Sequence, residues 1–149
     1  MAQVTLEVPT RYVDRLRDDA MMLYDNALEE FALVARRHAE GKDGPAEYAW
    51  YLDQLDSMKG IVKQLGHPGD QTVTEHAYAI QQALRGCLYH AVKQLQEIAE
   101  GRGFSLLKTE DVLNDITWFV RQLARAVEAF PVPAEGMPWE QPAAAGDRA

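Results

Sequence analysis

The chain has 149 residues, 47% hydrophobic and 26% charged, a composition suited to one globular domain. Asp and Glu number 23 against 15 Lys and Arg, a formal net charge of -8, which disfavours a broad nucleic-acid-binding face or attachment to an anionic membrane surface. A single cysteine, Cys87, excludes an internal disulfide and suits a reducing, cytoplasmic compartment, and neither a secretory leader nor a long apolar span is recognisable.

Residues 3–8 alternate. Gln3, Thr5 and Glu7 fall on one side and Val4, Leu6 and Val8 on the other, the period of a half-buried strand. Pro9 ends the segment, and Thr10 is placed to cap the next helix. That helix is expected from Tyr12 to about Ala39, with a stripe of Val13, Leu16, Ala20, Leu23, Ala27, Phe31 and Val34. The Gly41–Pro45 stretch breaks the chain, and a second helix is expected from Ala46 to about Leu65, weakened at Gly60. After the turn around Pro68, Thr72 and Glu75 match a capping box, which predicts a third helix running to about Glu100. Gly101–Gly103 stops it; Phe104, Leu106 and Leu107 are expected to cover one end of the core. Thr109 is placed to cap a fourth helix that reaches Phe130. The last stretch, residues 131–149, holds four of the seven prolines and reads as an extended tail. The expected fold is therefore all-α: an up-down-up-down four-helix bundle over 10–130, a β-arm over 1–9, and a Pro-rich tail.

The sequence offers no evident second strand, so the N-terminal strand lacks partners for its backbone groups. Two solutions present themselves: pairing with the same strand of a second copy, or lying over the helices as an arm. The run from Val4 to Thr10, leading into Tyr12–Leu16, resembles the opening of ribbon-helix-helix DNA-binding proteins. That resemblance implies a strand shared across a dimer and, in those proteins, outward side chains that read DNA. Glu7 would be one of the outward residues and is repelled by phosphate, and the helix here runs on for several turns beyond the family pattern.

Candidate chemistry is sparse. The four histidines, His38, His67, His76 and His90, form no Glu-x-x-His, His-x-x-x-His or His-Glu-x-x-His motif, so neither a metal nor another cofactor is called for. Cys87 and His90 lie one helical turn apart, a spacing that suits a thiolate pair but equally a packed thiol on the core stripe. The run Arg85-Gly-Cys-Leu-Tyr-His90 resembles the Arg-to-His spacing of HEPN-type ribonucleases, which implies metal-independent phosphodiester cleavage with Arg85 stabilising charge and His90 moving a proton. Asp53/Asp56 and Glu97/Glu100 resemble fragments of the carboxylate clusters of all-α nucleotide pyrophosphatases, but the second Glu-x-x-Asp run is missing.

The reading that follows is a non-catalytic protein-interaction module, homodimeric and of accessory or adaptor type. Its expected contacts are Val4, Leu6 and Val8 of the arm, Met21 and Tyr24 of the first helix, and Trp139 as a tail anchor. Self-association and a protein partner are expected; nucleic acid and membrane are not. The alternatives are the ribonuclease using Arg85 and His90, and a helical bundle that holds a small ligand among aromatics such as Tyr51 and Trp118.

Overall fold

The computed structural model describes residues 2–42, 45–101 and 108–131. It is mostly helical, with one small antiparallel sheet. The elements run β1 (Gln3–Val8), α1 (Thr10–Ala39), α2 (Pro45–Gln64), β2 (Gln71–His76), α3 (Ala77–Ala99) and α4 (Thr109–Ala129). Among the described residues, no helix is long and apolar enough to cross a membrane.

The N-terminal strand is not alone. β2 pairs with it antiparallel, Gln3 opposite His76 through to Val8 opposite Gln71. This corrects the expectation of an unpartnered strand and of a capping box at Thr72 and Glu75. Both residues lie within β2, and α3 starts four residues later than a cap at Thr72 predicts. The capping-box pattern was matched by a segment whose β-branched Thr72, Val73 and Thr74 favour a strand. The cap of α3 is His76, whose Nδ1 accepts the Tyr78 N–H at 3.2 Å.

Two other caps also differ. Thr10 is the first residue of α1, and its N–H and hydroxyl both donate to Asp70 Oδ1, at 2.8 and 2.7 Å. A carboxylate from the turn before β2 thus takes an orphan N–H of the helix start. These hydrogen bonds, first from the hydroxyl and then from the backbone, hold the Asp70 carboxyl below the usual range. Thr109 likewise opens α4, after Lys108 as the cap residue.

The inner face of the ribbon is apolar. Val4, Leu6, Val8 and Val73 are buried with Val13, Leu16 and Ala20 of α1, Met58, Ile61 and Leu65 around the end of α2, and Ile80, Leu84 and Cys87 of α3. Helices α1 and α2 form one closely packed pair, α3 and α4 the other, and α1 crosses onto α3. Tyr12 stacks on Trp118 with ring centres 4.3 Å apart, and Arg11 forms a two-pronged bond to Asp115 at 2.6 and 3.2 Å, so the start of α1 is tied to α4. Phe104, Leu106, Leu107 and the tail beyond Pro131 lie outside the described residues.

Candidate functional site

The two edges of the ribbon are unequal. Ala77 N–H donates to Ala2 C=O at 2.9 Å, which fixes the alternation of the ladder. Val4, Leu6 and Val8 then turn their backbone groups toward β2, while Gln3, Thr5 and Glu7 turn theirs outward. On β2 the outward groups of Thr74 are taken: Gln64 of α2 accepts its N–H at 2.9 Å and donates to its C=O at 3.1 Å. One side-chain amide imitates a neighbouring strand there. Gly60, one turn earlier on α2, leaves room for the Glu75 carboxylate of β2.

Among the described residues, the β1 edge has no such cover. Helix α4 lies alongside, and among the described residues the one outward hydrogen bond of the edge is donated by Arg125 to Thr5 C=O at 3.5 Å. Beside it runs a groove of about 860 Å³, walled by Thr5, Glu7, Val8 and Pro9 of the strand side, Asp70–Thr72, and Trp118, Gln122 and Arg125 of α4. The side chains of Val4, Leu6 and Val8, expected at an interface, are instead buried inside this chain. What β1 presents outward is its backbone and the exposed Gln3, Thr5 and Glu7.

A second cluster surrounds Asp19. This α1 carboxylate is only 3% exposed, and its Oδ1 lies 3.0 Å from His90 Nδ1. The Asp19 Oδ2 atom is buried without a hydrogen-bond partner. A Cβ on Gly86 would come within 3.2 Å of the Asp19 carboxylate, so the glycine makes room for it in mid-helix. Cys87 is fully buried alongside; burial, and then the Asp19 charge, push its thiol far above the ordinary range. A neutral packed thiol is not a nucleophile.

His90 keeps two-fifths of its side chain exposed and lines a groove of about 370 Å³ with Arg15, Asp18, Asp19, Lys93, Gln94 and Glu97. The cations beside it are Arg15 and Lys93. Arg85 is exposed and lies about 140° around α3 from His90, outside that groove. Among the described residues, no group of three or more His, Cys, Asp or Glu side chains gathers as a metal site.

Of the remaining expected contacts, Met21 is half exposed and Tyr24 partly buried, and together with Asp25, Lys59 and Val62 they line a depression of about 310 Å³. Trp139 lies outside the described residues. Tyr51 and Trp118 are each partly buried on α2 and α4, and Trp118 is engaged by Tyr12. Sequence reasoning missed Asp19 and Gln64. Asp19 sits among the charged residues of a helix start and Gln64 at a helix end, where polar residues are ordinary; only the fold reveals that each is committed to another element. Comparison with protein-family models, curated proteins and solved structures finds no match for this chain.

Proposed function

We propose that this chain is a non-catalytic interaction module that self-associates, β1 edge against β1 edge, into a two-fold dimer with a continuous four-stranded sheet. The observation that carries this reading is the asymmetry of the ribbon: α2 covers the middle of the β2 edge, where Gln64 takes both outward groups of Thr74, while the β1 edge borders an open groove. Unpaired strand edges template pairing with another chain.

The outward groups are self-complementary. With the axis through Thr5, Thr5 faces its own copy and Gln3 faces Glu7 of the second copy, so no like charges oppose. In the same register Val4 lies opposite Leu6, on the core face of both ribbons. Arg125 is exposed and has to swing aside, giving up its long contact with Thr5 C=O, while its bond to Gln122 belongs to α4 itself.

Size-exclusion chromatography with light scattering tests the proposal. The full chain is expected at twice its 16.7 kDa. Thr5→Pro removes an outward N–H and leaves the backbone hydrogen bonds between β1 and β2 in place, losing only the Thr5–Thr74 hydroxyl bond across the ribbon, and is expected to give the single-chain mass with nearly unchanged circular dichroism. Gln3→Glu, which sets two carboxylates opposite each other, is expected to weaken the dimer, and adding Glu7→Gln to restore it. A single-chain mass for the parent protein, or a dimer indifferent to these changes, overturns the proposal.

A further inference from the structure

The groove beside His90 is built in a way that the dimer does not require. Burying Asp19 is costly unless its oxygens are satisfied. Keeping Gly86 inside α3 costs about 1 kcal/mol against Ala in helix propensity. Both features converge on one carboxylate, and only one of its oxygens has a partner. We infer that the groove lined by Arg15, Asp19, His90 and Lys93 is a binding site for a small soluble zwitterion, one that carries an ammonium and an oxyanion.

The lining supplies both signs. Arg15 and Lys93 have no ion-pair partner among the described residues, and either can hold a phosphate or carboxylate oxygen. The Asp19 carboxylate lines the groove with one oxygen unpartnered, so its charge attracts an ammonium group there. Asp18 and Glu97 also line the groove and reinforce preference for the cationic end. An anion alone meets three carboxylates in this groove, and a cation alone meets Arg15 and Lys93. A ligand with both charges meets neither penalty. The Asp19 bond fixes the His90 ring with Nδ1–H toward the carboxylate, which leaves Nε2 free for a further polar contact. A volume of about 370 Å³ suits a ligand of metabolite size.

Three probes separate the alternatives, each titrated into the full-length protein while histidine side-chain resonances are followed by NMR. They are phosphoethanolamine, inorganic phosphate and ethylammonium. His38 and His67, remote in sequence from the groove, serve as internal controls. Phosphoethanolamine is expected to shift His90 selectively and to bind about tenfold or more tightly than either single-charge probe. Lys93→Gln, a surface change that spares the fold, is expected to weaken it at least about fivefold, and Asp19→Asn to abolish the advantage over phosphate. Absence of a selective His90 shift overturns the inference, and so does phosphate binding as tightly as phosphoethanolamine.

Discussion

Asp19 and Gly86 act as one unit, although they lie on different helices. A methyl group at position 86 meets the Asp19 carboxylate at 3.2 Å, so Asp19, buried on α1, must give by a few tenths of an ångström against the middle of α3. Gly86→Ala gains about 1 kcal/mol of helix propensity and loses more through overpacking. The expected outcome is a net destabilisation of about 1 kcal/mol in urea unfolding, with the His90 side-chain resonances displaced. An exposed helical glycine would give the opposite sign, so a stabilised variant would show that α1 and α3 yield freely at this contact. Cys87 belongs to the same layer, and its raised pKa means that the folded protein resists thiol reagents which modify the unfolded chain.

At the scale of elements, the junction between β2 and α3 rests on His76. Its ring packs against Trp50 and Phe130, and its Nδ1 caps α3 by accepting the Tyr78 N–H. Protonation would place a hydrogen on that same nitrogen and remove the cap. Burial is the main cause that lowers the His76 pKa, against the pull of the Glu75 and Asp53 carboxylates. In the unfolded chain the group titrates near pH 6.5. The stability it contributes is therefore complete above about pH 6.5 and is lost as pH falls below it toward the lower folded value. Urea midpoints measured from pH 7.5 down to 5 are expected to fall for the parent protein. His76→Asn retains a capping side chain and is expected to flatten that decline. This junction also shows where the sequence was legible. The four helices were readable from apolar stripes such as Val13-Leu16-Ala20 and Ile80-Leu84-Cys87, because helix burial is periodic. β2 was not, because Val73 is its only strongly apolar residue and Thr72 with Glu75 reproduces a helix-start pattern by local chemistry alone. Its strand identity comes from pairing with residues some 70 positions earlier, and the Gln64 edge cover and the Asp19–His90 contact are likewise long-range facts.

For the whole molecule, the β1 edge separates a monomer from a dimer at individual amides. In either state the N–H groups of Val4, Leu6 and Val8 face β2 and are protected from exchange by the ladder. Those of Gln3, Thr5 and Glu7 face outward, with Thr5 and Glu7 beside the groove, and in a monomer water reaches them. The expected pattern is alternation along one strand in dilute protein: slow exchange at the even positions and fast at the odd ones. Edge-to-edge pairing buries the odd set as well, and because it is bimolecular the protection of Gln3, Thr5 and Glu7 must rise with protein concentration while that of Val4, Leu6 and Val8 stays nearly constant. The outward groups of β2 provide the control. Thr74 N–H already has Gln64 as its partner, so its exchange is expected to be slow at every concentration. Hydrogen exchange read by NMR at two concentrations about a hundredfold apart measures all of these amides together. Odd-position amides on β1 that exchange rapidly and equally at both concentrations would place self-association elsewhere on the surface, with the depression around Met21, Tyr24 and Val62 the next face to vary.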